Sequence, residues 1–312
     1  MIKDYLGHTP FIIANKKDKC GVIIRSGTTV GFSLARVDFE FTTSDDFEVP
    51  VKEFLGDGDR DSLEAGKDYY IYITPFEGKE AGLIISIEKN IVGRLIGGFH
   101  TLCADVGEIA GHPLSGYKAG DILPNSIWCL NHRSAGLQDG MVYDPAQDEW
   151  VMIYMASGTG KDTASRFGAK TTNRRNWHEF NDDMAAVGCR LLSTDGFMTA
   201  MWGSPNEVNV ENSENPITTG GHKATNGQRI ISNIGVEDGV GCWDQWLSDR
   251  VLKDSCWYQQ NGVHTFPLAG GNWTDVSAAG VLCWGSNNGS SFSFSYSSLG
   301  ARGRCRCLHF AE

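Results

Sequence analysis

The sequence predicts an α+β fold, with a small β-rich domain over residues 1–90 followed by a larger, loop-rich domain over residues 91–312. Three observations predict it. The first part carries short apolar runs punctuated by Gly and Asp, the texture turns Gly- and Trp-rich near residue 91, and helical periodicity is confined to two stretches of the second part. A chain of 312 residues with 41% hydrophobic content has material for one large core or two ordinary ones.

In the first part, Thr29–Leu34, Tyr69–Ile73 and Leu83–Ile87 read as strands: each is short, rich in β-branched or aromatic residues, and bounded by turn residues. Asp57, Asp59 and Asp61 alternate like the opening of a calcium loop. The Gly expected at its sixth position and the Glu expected at its twelfth are missing, so a solvated turn is the expectation. In the second part, Phe180, Met184, Val187 and Leu191 recur at helical steps and predict a helix over Asn176–Leu192 with Asn173 as its cap. A shorter helix is expected over Asp195–Trp202, and the rest alternates loops with brief strands.

Charge and chemistry then narrow the function classes. A net charge of −11 disfavours nucleic acid or an anionic membrane as partner, because both are met by a basic face. No run reaches the roughly 18 apolar residues of a membrane span, and Met1-Ile2-Lys3-Asp4 leads into no signal-peptide core, so a soluble chain not exported by the usual route is expected. Nine cysteines do not read as the framework of a small secreted domain. Cys305 and Cys307 point to one face of a strand and are expected to be buried small hydrophobes. His100, His112, His132, His178, His222, His264 and His309 are scattered without ligand spacing, so neither metal nor cofactor is expected. Ser157–Asp162 has the look of a phosphate loop, but Met155 replaces its first Gly and Asp162 its hydroxyl. No nucleophile elbow occurs, and no enzyme activity is expected.

Three fragments in order carry the strongest signal: Gly241-Cys242-Trp243-Asp244-Gln245-Trp246-Leu247-Ser248-Asp249, Gly270-Gly271-Asn272-Trp273, and Gly300-Ala301-Arg302-Gly303-Arg304-Cys305. Together they resemble the C-type lectin-like fold of the formylglycine-generating enzyme type. Upstream, His112–Tyr117, Asp121–Arg133 and Gly140–Pro145 are similar to the phage-type variable proteins of diversity-generating retroelements, which extends the resemblance over roughly residues 65–312. Trp243, Trp246, Gly271, Trp273, Trp284, Gly300 and Arg302 are expected to hold the scaffold. The large indoles, with one donor each, suit the pinning of loops, and the glycines suit tight or positive-φ backbone.

Between the last two fragments, residues 274–299 are Ser, Gly and aromatic with Asp275 as the single charge. Phe292, Phe294 and Tyr296 alternate with serines, which puts three rings on one face of an extended chain. Periodicity alone leaves this open between a half-buried strand and a displayed surface. The resemblance favours display. In such proteins this stretch is rewritten at adenines, commonly in AAY codons, which never yield Lys, Glu, Gln, Met or Trp. From Thr274 to Ser298 only Trp284 breaks that pattern.

The resemblance therefore implies a variable region near residues 273–302, with Thr274, Asp275, Ala278, Leu282, Cys283, Gly285, Phe292, Phe294 and Tyr296 as diversified positions and Asn287 and Asn288 as template residues. Aromatics that give contact area at low rotamer entropy, beside adaptable Ser, Gly and Asn, make a paratope-like composition. The implied function is receptor binding, to a protein or glycan on a target cell surface. The chain would sit on a virion tail fibre or tip, or on a cell surface, with a trimer as the family pattern and the N-terminal domain serving assembly or attachment. The alternative within the same fold is a metal-dependent formylglycine-generating oxidase, whose copper-binding cysteine pair Cys305 and Cys307 do not clearly match. A calcium-dependent sugar lectin lacks its Glu-Pro-Asn or Gln-Pro-Asp triplet here.

Overall fold

The computed structural model describes residues 9–56, 62–78, 80–249, 251–252, 264–275, 279–285 and 295–309. The aspartates of the calcium-like run, Asp57, Asp59 and Asp61, lie outside them. The fold is mostly β, with two α-helices among the described residues. The chain divides into two compact units. Unit 1 comprises Met1–Asp105, Tyr117–Arg133 and Cys307–Glu312, and unit 2 comprises Val106–Gly116 and Ser134–Arg306.

Unit 1 contains β1 (Ile12–Ala14), β2 (Gly21–Ile24), β3 (Thr29–Leu34), β4 (Val37–Thr42), β5 (Phe47–Pro50), β6 (Asp68–Pro75), β7 (Ala81–Ser86), β8 (Arg94–His100), β9 (Trp128–Cys129) and the start of β10 (His132–Ser134). The first two expected strands fall within β3 and β6, and the third falls on β7 with its last residue, Ile87, beyond the strand end. β1, β2 and β5 make one antiparallel sheet and β3 and β4 a hairpin, while β7, β6, β8, β9 and β10 follow one another in a larger sheet. Period-two alternation places Tyr69, Ile71 and Ile73 of β6 on one face, where they pack with Phe11, Val22, Ile24, Val49, Ile85, Ile96 and Phe99. Tyr69 and Phe99 stack with ring centroids 5.4 Å apart.

Unit 2 contains β11 (Met141–Asp144), β12 (Glu149–Met152), β13 (Ala156–Ser157), β14 (Ala164–Ser165), α1 (Trp177–Ala186), β15 (Arg190–Leu191), α2 (Thr194–Met201), β16 (Asp244–Trp246), β17 (Val251–Leu252), β18 (His264–Thr265), β19 (Leu268–Gly270), β20 (Gly280–Gly285), β21 (Leu299–Gly300) and most of β22 (Gly303–His309). Helix α1 is shorter than its periodicity predicts, and Asn176 rather than Asn173 caps it. The Asn176 side chain accepts the Glu179 backbone N–H at 3.0 Å, while the Glu179 carboxylate accepts the Asn176 N–H at 2.8 Å. The helix stops because Gly188 turns at φ +73°. Leu191 therefore keeps its buried place from a strand, not from the helix. Helix α2 starts one residue earlier than expected, on a Ser193 cap that accepts the Gly196 N–H at 3.1 Å.

Candidate functional site

Four strands of unit 2, in the order β20, β19, β16, β21, carry part of each of the three motif fragments and part of the segment between them. β16 runs antiparallel to β19 and parallel to β21, and β19 pairs antiparallel with β20 through an irregularity between Ala269 and Gly270. Gly270 and Gly271 hold φ +91° and +73°, and a Cβ on Gly270 would lie 2.9 Å from the Gly239 carbonyl. A Cβ on Gly300 would meet the Met155 methyl at 2.3 Å.

The expected scaffold residues split into two physical kinds. Trp243 and Trp246 have no solvent exposure, yet neither indole N–H has a hydrogen-bond partner among the described residues. Among the described residues neither donor ties down a loop, and both rings contribute through packing, Trp243 edge-on to His222 with centroids 6.4 Å apart. Trp177 does tie one down, donating to the Leu247 carbonyl at 2.8 Å and stacking on Phe266 at 3.8 Å. Arg302 is the polar anchor. Fully buried, it donates to the carbonyls of Met152 at 2.8 Å and Glu237 at 2.7 Å, to that of Ile153, and to the Gln245 amide oxygen at 3.3 Å. Burial lowers its pKa to about 10, against the opposing pull of Asp238 and Glu237. Trp273 is half-buried and its carbonyl accepts from Asn209, whereas Trp284 lies in β20.

Sequence reading missed the charges that surround this arginine. In a buried ion pair Arg229 Nη2 donates to both Glu237 carboxylate oxygens, each at 2.7 Å, and His222 lies 2.9 Å from Asp238. Burial works against the charged form of His222, but Asp238 outweighs it and raises the pKa. Asp238 is lowered in turn: burial pushes it up, and the His222 contact and the Gly220 N–H bring it down. The signal available was the density of charged residues in a Gly-rich run, at Arg229, Glu237 and Asp238.

The expected diversified positions are distributed as follows. Leu282 is 66% and Tyr296 53% exposed, and Thr274 is exposed. Cys283 is half-buried, its thiol pKa raised by burial and by Glu207. Gly285 ends β20. Asp275 is half-buried and structural in its contacts: it accepts the Asn272 backbone N–H at 3.1 Å and side-chain amide at 2.6 Å. The same amide donates to Asp244 at 2.8 Å, and Thr274 closes the turn on the Asn272 side-chain oxygen at 2.8 Å. Burial, opposed by that amide and aided by Asp275, raises the Asp244 pKa to about 6. Ala278, Asn287, Asn288, Phe292 and Phe294 lie outside the described residues.

Beside β20 lies a cleft of 540 Å³ whose walls include Trp202, Asn206, Gln228, Asn233, His112 and Val281. Trp202 is 62% exposed, the Asn206 side-chain oxygen accepts the Val281 N–H at 3.0 Å, and burial lowers the His112 pKa. Among the described residues, no carboxylate, lysine or arginine lines it.

Compared with solved structures, the chain aligns over 98% of its length. It is similar to the Major Tropism Determinant U1 variant at TM-score 0.75 and 20% identity, to the M1 variant at 0.76 and 19%, and to the I1 variant at 0.76 and 20%, in each case covering 86% of that chain. The chain has the fold of the major tropism determinants. Residues 13–129 also match the family model of the Mtd second domain, a span that takes in most of unit 1. No curated protein sequence matches the chain. Among the described residues, the charge-poor segment contributes β20 and Leu299 of β21.

Two side-chain clusters with metal-ligating chemistry were also invisible in the sequence. Among the described residues, His132, Cys307 and His309 converge in unit 1, and His222, Asp238 and Cys242 in unit 2. The histidines looked scattered because the folding of strands, not sequence spacing, brings them to their partners. Cys305 is likewise not a free hydrophobe: it forms a disulfide with Cys189, leaving Cys307 as a buried thiol two residues on. No helix among the described residues is long and apolar enough to cross a membrane.

Proposed function

We propose that the chain is a variable receptor-binding protein, diversified by a retroelement, that displays residues 274–296 on a C-type lectin-like scaffold of the formylglycine-generating enzyme type. One observation carries the reading. Leu282 and Tyr296, two of the large exposed hydrophobics, belong to a segment bounded by the buried Gly271 and by the buried Gly300 and Arg302. Large apolar side chains held outward by a fixed frame are costly in water and useful against a partner that covers them. The likeness to proteins named as variants of a tropism determinant supports it.

Thr274, Asp275, Ala278, Leu282, Cys283, Gly285, Phe292, Phe294 and Tyr296 are the diversified positions in this reading, with Asn287 and Asn288 as template residues. The partner is a protein or glycan on a target cell. The cleft beside β20, with its exposed Trp202 indole and neutral amides, suits an uncharged polar group such as a sugar ring. The domain over residues 1–90 serves assembly or attachment, the domain over residues 91–312 carries the surface, and the protein acts on a virion tail as a homotrimer. It binds without catalysing.

A reverse-transcriptase gene beside this one, with a near-copy of the segment for residues 273–302 differing mainly at adenines, is the expected genomic context. A lone gene without that copy counts heavily against diversification. On the protein, replacing Phe292, Phe294 and Tyr296 together by Ala is expected to abolish binding to intact target cells while leaving the thermal midpoint nearly unchanged. A loss of folding on the scale of a multi-residue core deletion assigns the rings to the core instead.

A further inference from the structure

We propose that His132, Cys307 and His309 form a site for a borderline-soft divalent metal, zinc before the others, with one coordination position left open. Cys307 and His309 are two residues apart on β22, so period-two alternation sends both side chains to the same face, and His132 comes from the neighbouring β10. The Cys307 sulfur lies 3.4 Å from His132 Nδ1. Zinc bonds of about 2.3 Å to sulfur and about 2.0–2.1 Å to nitrogen, at tetrahedral angles, put sulfur and nitrogen ligands roughly 3.5 Å apart. Two of the three ligands therefore already stand at coordination distance. The ligand atoms of all three lie within 4.8 Å of one another, and the His132 and His309 rings are 5.5 Å apart. His309 is exposed, so a small rotation of its side chain completes the set.

The donor chemistry fits as well. Two imidazoles and a thiolate select zinc or copper over calcium or magnesium, which take oxygen ligands. Cys307 and His132 are buried and His309 is at the surface, which gives the ion a solvent-facing position for water or for a ligand from another chain. The second cluster is the weaker candidate: Asp238 is already engaged by His222 and the Gly220 N–H, and Cys242 is fully buried, where burial and then Asp238 push its thiol well above the usual range. The proposed site uses unit 1 residues alone and does not depend on the receptor-binding reading.

The test uses the full chain with any purification tag removed, stripped with a chelator and dialysed against zinc. A single zinc ion per chain is expected to remain, and cobalt substitution is expected to give a thiolate-to-cobalt charge-transfer band with tetrahedral visible bands. Because loss of a partner that merely supports a ligand costs 10–100-fold in affinity, Cys307→Ser and His309→Ala are each expected to weaken zinc by about 100-fold or more, and Cys307→Ser to abolish the charge-transfer band. His309 is exposed, so its variant stays folded, which circular dichroism checks. His178→Ala is the control and is expected to bind as the parent does. Failure to retain metal, a cobalt spectrum without the sulfur band, or equal binding by His309→Ala would each overturn the site and leave a thiol–imidazole hydrogen bond in its place.

Discussion

The two units build their interiors from different materials. In unit 1 no Asp, Glu, Lys or Arg is buried among the described residues, and the core is a cluster of aliphatic and aromatic side chains between strands. In unit 2, Asp144, Asp183, Arg229, Glu237, Asp238 and Arg302 are all buried. The difference follows from the backbone. Strands satisfy their own polar groups in ladders, whereas a loop-rich interior leaves carbonyls that side chains must meet. Arg302 meets three of them. On the proposed function, a scaffold held by such polar anchors needs little from the segment it displays, which suits a surface that is rewritten.

The largest break in that comparison is expected at Arg302. Arg302→Met leaves three carbonyls unpaired and removes a cation beside Glu237 and Asp238, so a loss of roughly 3–5 kcal/mol is expected by denaturant titration. In unit 1, Ile71→Val removes one methylene from a buried apolar site and should cost only about 0.5–1.5 kcal/mol. Equal costs at the two positions would remove the distinction between the cores.

The sequence made these two interiors legible to different degrees. Strands β3, β6 and β7 were readable because apolar alternation and turn residues are local signals. Trp243, Trp246, Gly271, Gly300 and Arg302, all buried, were singled out by three ordered fragments, yet the contacts of Arg302 were not readable, since its partners are backbone carbonyls as far away in sequence as Met152. The ion pair Arg229–Glu237, the His222–Asp238 contact and the Cys189–Cys305 disulfide depend on which loops meet, and no periodicity encodes that. Helix α1 was overextended because its apolar spacing continues into β15 past the Gly188 turn.

A smaller effect of opposite sign is expected at Asp244. Its folded pKa is raised, so it favours folding fully below its ordinary value near 3.8 and loses that contribution as pH rises through about 6. At pH 7 the buried charge costs stability. Asp244→Asn is therefore expected to be more stable than the parent at pH 7, by about 1–2 kcal/mol after allowance for partial exposure, with the gap closing below pH ~4. Asp275→Asn should shift the same transition to lower pH, because Asp275 is one of the charges that raise it.

The His222–Asp238 pair sets a gentler slope. A raised histidine pKa gives stability that is complete below its ordinary value of 6.5 and fades as pH climbs through the folded value. The lowered Asp238 gives stability that is present above its ordinary 3.8 and fades in acid. The pair therefore contributes most between these two values. His222→Asn is expected to lose up to about 1 kcal/mol at pH 6 and progressively less by pH 8, read from thermal midpoints across that range. A constant deficit at all pH values would mean that packing of the ring, not its charge, is what the fold uses.

The smallest stability effect and the largest functional one should coincide at the displayed residues. β20 alternates, so Val281 turns inward to the cleft wall while Leu282 turns out with 66% of its surface exposed, and Tyr296 is 53% exposed on the approach to β21. Truncating side chains that are more than half exposed removes little buried area, so Leu282→Ala and Tyr296→Ala are each expected to stay within about 0.5 kcal/mol of the parent. Binding to target cells should nevertheless fall tenfold or more for Tyr296→Ala, because ring anchors supply most of the energy in a paratope-like surface. Trp202→Ala separates the cleft from the strand: weakened binding with unchanged stability includes the cleft in the surface, and unchanged binding confines recognition to the charge-poor segment itself.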